Sequence, residues 1–285
     1  MTIPVWRLLR TGDMSGAMNM ALDEALLESV AAGQSAPILR LYGWAPPTVS
    51  LGYFQRGNKV VNLGACREYG YDVVRRSTGG RAVLHDQEVT YSVIAPNHDE
   101  VFSGGISDNY HIIAQGLLVL VRSFGIEAEI AGGRQKVPQG GNAAHNVCFF
   151  SPAFSELVYA GCKLVGSAQR RLGNAFLQHG SIPLNIDPEI LFRVLTTSEE
   201  VSPAEGGAML AARVGWLNRW LTTPVSRSEV EERLILHLGN TLNVTWQESQ
   251  PTGVEWQRAE ECCRNKFATA EWTFGAEKSA SGERF

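Results

Sequence analysis

No run of 18 or more apolar residues occurs in the 285 residues of this chain, so it carries no candidate membrane-spanning helix. Nor does a basic segment followed by an apolar stretch open the sequence MTIPVWRLLRTGD, and no secretory signal is expected. The five cysteines, Cys66, Cys148, Cys162, Cys262 and Cys263, are an odd number without CxxC spacing. That excludes a disulfide framework and a zinc site of the usual pattern. Reduced thiols in a cytoplasmic protein are expected, and one of them is a candidate nucleophile. No GxGxxG follows a strand pattern and no GxxxxGKS/T occurs, so neither dinucleotide-binding fingerprint nor P-loop is available. Basic residues are not in excess: 25 stand against 29 acidic ones, a net charge of −4. No dedicated nucleic-acid surface is expected.

What the chain has is ample apolar content, 44%, enough for one large domain or one domain with a small appendage. We divide it into residues 1–250, a catalytic domain, and 251–285, a C-terminal helix and tail. Trp6–Leu9 reads as an opening strand. Ser15 caps a helix over Ala17–Ala31, in which the adjacent acids Asp23 and Glu24 read as a solvated face. Pro37–Tyr42 and Thr48–Tyr53 read as strands broken by Pro46-Pro47. A helix over Asn62–Tyr69, a strand over Tyr71–Arg76 and β-rich Val89–Ile94 follow. Asp108 caps a helix over Asn109–Ser123, and Ile126–Ile130 reads as a strand. Gly132–Asn146 has no periodicity and reads as a loop. Phe149–Leu184 reads as strand, tight turn, strand, loop, strand. Pro188 after Asp187 starts a helix over Glu189–Leu195. Met209–Leu221 reads as an amphipathic helix, Ser228 with Glu231 as a capping box for Glu229–Leu238 with Gly239 as its stop, and Val254–Phe267 as a last helix. Helices are interspersed with hairpin-like strand pairs, which points to a mixed or antiparallel sheet flanked by helices.

Four constellations could carry chemistry. Arg75-Arg76-Ser77-Thr78-Gly79-Gly80-Arg81 surrounds a Gly-Gly turn with arginines suited to carboxylate or phosphate, or is a hairpin turn with exposed basic residues. His85 faces the same pocket or the surface. Lys163 starts a strand whose small residues Gly166, Ser167 and Ala168 leave room for a ligand or another backbone; the alternative is a surface turn lysine. Cys148 is a buried small hydrophobe or a thiol activated by a nearby ammonium, which a hairpin pairing Phe154–Tyr159 with Lys163–Ala168 would supply. His179-Gly180 lines a cavity or belongs to the core. Cys162 and the Cys262-Cys263 pair read as structural thiols.

RRSTGGRAVLH, CFFSPAFSELVYAGCKLVGSAQRR and LQHGSIPL, with MNMALDEALL and LRLYGWAPPTVSLGYFQ before them, together resemble the biotin/lipoate protein ligase and octanoyltransferase family. The motifs are collinear over most of residues 5–185. Arg81 stands where ATP-using lipoate ligases typically carry a third glycine. Cys148 followed by phenylalanine, with Pro152 after it, looks like the cysteine-dependent octanoyltransferases. The resemblance implies an α+β fold of the class II aminoacyl-tRNA synthetase/biotin protein ligase type, with a large mixed sheet and a small sheet flanked by helices.

It also implies a tunnel for an eight-carbon acyl chain with Lys163 at its mouth. Cys148 would take the octanoyl group from octanoyl-acyl carrier protein as a thioester and pass it to a lysine of a lipoyl domain or the glycine-cleavage H protein. Lys163 would hold the carbonyl oxygen and support the thiolate. Arg75, Arg76, Thr78, Gly79, Gly80, Arg81, His85, Gly166, Ser167, Ala168, His179 and Gly180 would bind substrate. No metal or cofactor is expected. Burying about seven methylene or methyl groups at ~0.8 kcal/mol each supplies at most roughly 5–6 kcal/mol. Two rivals are an adenylating ligase using ATP and magnesium, which would tolerate loss of Cys148, and a non-catalytic acyl-binding module, which would need neither Cys148 nor Lys163.

Overall fold

The computed structural model describes residues 2–99, 101–102, 104–131, 156–197 and 200–275. In chain order the first elements are β1 (Val5–Met14), α1 (Gly16–Ala31), β2 (Ile38–Trp44), β3 (Thr48–Leu51), α2 (Gly57–Val60), α3 (Leu63–Tyr69), β4 (Asp72–Arg75), β5 (Val83–His85), β6 (Glu88–Pro96) and α4 (Ile106–Arg122). Then come β7 (Glu129–Ile130), β8 (Leu157–Tyr159), β9 (Cys162–Leu172), β10 (Ala175–Pro183), α5 (Pro188–Leu195), α6 (Pro203–Ala211), α7 (Arg227–Leu242), β11 (Thr245–Ser249), α8 (Gly253–Cys262) and α9 (Ala270–Phe274).

Among the described residues these strands form an eight-stranded mixed sheet, ordered β11-β1-β2-β6-β10-β9-β8-β7, and a three-stranded sheet, β4-β3-β5. This is the expected architecture of a large and a small sheet flanked by helices. The two-residue turn Ala160-Gly161, with both φ angles positive, joins β8 to β9 as a tight hairpin. Helix α4 lays Ile113, Leu117, Leu120 and Val121 into the main core with Leu234 and Leu238 of α7. No helix among the described residues is long and apolar enough to cross a membrane.

Several sequence readings are corrected. Asp23 and Glu24 are not a solvated face: they are 3% and 8% exposed. The α4 cap is Gly105, and Asp108 sits three residues in, its carboxylate accepting the Gly105 N–H at 2.8 Å. Only Glu129–Ile130 of the expected Ile126–Ile130 strand pairs, with β8. Met209–Leu221 is not one helix. α6 ends at Ala211 because Val214 is drawn into a bridge with Lys163. Lys163 N–H donates to the Arg213 carbonyl at 2.8 Å and Gly215 N–H to the Lys163 carbonyl at 2.7 Å. The capping box of α7 is Ser226 with Glu229, not Ser228 with Glu231, and the helix runs through Gly239 to a left-handed Asn243. The last helix breaks at Cys262 into a π-turn over Cys263–Phe267. The loop read over Gly132–Asn146, the hairpin arm at Phe154 and the tail from Lys278 lie outside the described residues.

Helix α8 packs against α1 and is fixed by the buried Glu255 carboxylate, which accepts from Arg7 Nη1 at 2.7 Å. Further on, the Arg75 guanidinium donates to the carbonyls of Trp272 and Thr273 on one side and of Gly52, Tyr53 and Gln55 on the other. It thereby ties the C-terminal segment to the loop after β3.

Candidate active site

Strand register builds the floor of the site. Tyr42, Thr90, Ser181 and Gly166 form one row across β2, β6, β10 and β9. Arg40, Ser92, His179 and Ala168 form the next row along. Alternate residues of a strand share a face, so both rows face the same side, where α1 and the small sheet cover them. Between the layers lies a cavity of about 260 Å³, just below the usual range of ligand sites, roughly 300–1,000 Å³.

Two carboxylates stitch the layers together. Asp23 of α1 accepts from Arg40 Nη1 at 2.7 Å, Ser92 Oγ at 2.8 Å and Tyr42 Oη at 3.1 Å, and His179 Nδ1 lies 3.2 Å away. Burial pushes this carboxyl up, but Arg40 and His179 together outweigh burial and hold it below its ordinary value. His179 is shifted down, because burial penalises the imidazolium more than Asp23 favours it. Its Nδ1–H therefore points to Asp23, and Nε2 accepts from the Thr78 hydroxyl at 2.7 Å.

Glu88 forms the second stitch. It receives the hydroxyls of Thr90 and Ser181 and lies 2.7 Å from His85 Nδ1. Here too burial raises the carboxyl, and His85 with the two hydroxyls reverses the sign. His85 Nε2 lies 2.8 Å from Ser50 Oγ, and its ring stacks on Trp44 at 4.1 Å. Trp44 Nε1 in turn donates to Thr90 Oγ1 at 2.7 Å.

The Arg-rich turn roofs the cavity. Arg76 donates to the carbonyls of Ser50, Gly79 and Arg81 at 2.9, 2.8 and 2.7 Å, so its guanidinium shapes the turn. Gly80 has φ +93°, a conformation that a side chain would strain. At the other end, Lys163 Nζ meets the Glu156 carboxylate in a short ion pair, the two side chains 13% and 4% exposed. Gly166 leaves room for that ammonium: a Cβ there would lie 3.3 Å from Nζ.

Of the sequence-derived substrate residues, Arg76, Gly80, Arg81, His85, Gly166, Ser167, Ala168, His179 and Gly180 line the cavity together with Lys163. Thr78 stands behind it, holding His179, and Gly79 borders a separate outer groove with Phe54. Arg75 is turned away, towards the C-terminal segment, so its expected place in the pocket wall is corrected. Cys148 lies outside the described residues. Sequence reasoning missed Asp23, Glu88 and Glu156. The SELVYAGCK run held Glu156 seven residues before Lys163, a spacing that becomes a contact only through the β8–β9 turn.

A small cavity stitched by buried carboxylate–histidine pairs under a Gly-Gly turn, with Lys163 at one end, defines a small-molecule site between the large and the small sheet of an α+β scaffold. The family described as the lipoyl protein ligase A/B catalytic domain matches residues 15–239, and the chain belongs to that family. It is 41% identical over 273 residues to octanoyltransferase LipM of Kyrpidia tusciae, covering 94% of this chain and 98% of the relative. It is 36% identical over 269 residues to octanoyltransferase LipM of Carboxydothermus hydrogenoformans, with coverage of 94% and 98%. Among solved structures it is similar to a bipartite lipoate protein ligase of Thermoplasma acidophilum studied with its E2 lipoyl domain, with a TM-score of 0.78, 26% identity and coverage of 95% and 97%. It is also similar to a lipoate-protein ligase A bound with ATP, with a TM-score of 0.76, 26% identity and coverage of 96% and 99%.

Proposed function

We propose that this protein is an octanoyltransferase of lipoate biosynthesis, moving an octanoyl group from octanoyl-acyl carrier protein to a lysine of a lipoyl-accepting protein such as the glycine-cleavage H protein. The observation that carries this reading is near-full-length identity of 36–41% with several enzymes named octanoyltransferase, combined with a cavity in which one end presents a half-buried lysine.

Transfer runs in two steps. The Cys148 thiolate attacks the thioester carbonyl, and the carrier leaves as its thiolate, which takes a proton from solvent, giving octanoyl-S-enzyme. The neutral amine of the acceptor lysine then attacks, the amide forms as the amine's proton passes to solvent, and Cys148 departs as thiolate. Lys163 faces the carbonyl oxygen as charge develops there. The other thiols support this assignment to Cys148. Burial pushes Cys66 up to about 11 and raises Cys262 and Cys263. Cys162 is 3% exposed, its Sγ beside backbone carbonyls. The substrate wall is Arg76, Gly80 and Arg81 of the turn with His85, the strand run Gly166–Ala168, and His179-Gly180.

Thioester exchange needs no nucleotide. The test is transfer from octanoyl-carrier to apo H protein with and without ATP and magnesium. Equal rates are expected. A strict requirement for ATP and free octanoate would establish the adenylating alternative instead.

A further inference from the structure

We propose that Glu156 is the positioning residue for Lys163, aiming its ammonium into the cavity. The inference rests on the octanoyltransferase reading above and names a residue that the reaction chemistry by itself does not call for.

Three observations converge on it. The Lys163 backbone is pinned from both sides: Val158 of β8 pairs with it in register, and the 213–215 segment bonds to its N–H and its carbonyl. Its side chain runs over the bare Cα of Gly166, where a Cβ would come 3.1 Å from Cε. At the end of that path stands the Glu156 carboxylate, which also lines the cavity. The carboxylate is buried and the lysine side chain 13% exposed, and removing one partner of such a pair leaves the other uncompensated. Glu156 thus fixes the orientation of Lys163 as Asp23 fixes that of His179.

Other charged or titratable groups share the surroundings. Arg76 and Arg81 face the cavity from the small-sheet side, His85 from β5 and His179 from β10. Tyr110 of α4 feels the Glu156 charge and donates its hydroxyl to the Ser167 carbonyl at 2.7 Å. Arg213 holds the Lys163 backbone. Both histidines are locked to carboxylates of their own, and among the described residues Glu156 is a carboxylate in contact with the Lys163 ammonium.

The experiment is steady-state octanoyl transfer by wild type, Glu156→Gln and Glu156→Asp, with kcat and KM separated. Glu156→Gln is expected to lower kcat on the order of 100-fold, the low end of what one donor to a developing oxyanion contributes, with KM for the octanoyl-carrier within about twofold. Glu156→Asp, which keeps the carboxylate on a shorter stem, restores part of the rate with the same KM. If Glu156→Gln fails to fold, Glu156→Asp alone decides: a reduced kcat with KM unchanged is expected, and wild-type kcat overturns the proposal. A folded Glu156→Gln enzyme with unchanged kcat overturns it as well. Absence of transfer by the wild-type protein would instead sink the octanoyltransferase reading.

Discussion

His179 Nε2 lies 2.7 Å from the Thr78 hydroxyl, across the gap between the large sheet and the turn of the small one. That hydrogen bond continues through His179 Nδ1 to Asp23 and from there to Arg40. A chain from α1 through the sheet floor to the Gly-Gly turn therefore sets the height of the cavity. The Glu88–His85–Ser50 chain performs the same service on the other side.

Thr78→Val tests the first chain. Valine keeps the shape but removes the donor, leaving a buried imidazole nitrogen unpaired at a cost of about 1–3 kcal/mol. Denaturant unfolding should show that loss, and KM for the octanoyl-carrier should rise as the turn loosens. Unchanged stability and KM would show that the turn is held by Arg76 alone.

Acid should weaken the fold in two stages. The folded pKa of His179 lies below its ordinary 6.5, so the unfolded chain binds a proton first as pH falls through 6.5, and stability drops from there. Asp23 and Glu88 are held below their ordinary 3.8 and 4.5. Their contribution is complete above those values and is lost as pH falls through the folded ones. Unfolding midpoints measured from pH 7.5 to 3.5 should therefore decline below about pH 6.5 and fall more steeply below about 4.5. His179→Asn should flatten the first stage. A midpoint that stays constant down to pH 5 in the wild type would contradict the buried neutral imidazole.

Much of this architecture was legible because it is local. Ser15 caps α1 by accepting the Met18 N–H, and Asp187 with Pro188 starts α5. The small residues Gly166–Ala168 fall on a strand beside a cavity. Misreadings came where partners are distant in sequence. Asp23 looks like half of an exposed acid pair until Arg40, Tyr42, Ser92 and His179 converge on it. Arg75 belongs to a motif of pocket arginines, yet its carbonyl partners Trp272 and Thr273 lie nearly two hundred residues away. Apolar spacing over Met209–Leu221 mimics a helix, but the bridge to Lys163 takes the backbone at Val214. For α7 two Ser-x-x-Glu registers compete, and Ser226 prevails by accepting the Glu229 N–H at 3.2 Å.

The central claim is that Cys148 carries the acyl group. Incubation of the protein with octanoyl-carrier in the absence of acceptor, followed by intact and peptide mass spectrometry, tests it most directly. One octanoyl adduct is expected, mapped to Cys148, cleaved by neutral hydroxylamine as a thioester, and discharged when apo H protein is added. A Cys148→Ala variant that transfers octanoate at the wild-type rate, with no adduct on the enzyme, would contradict the account.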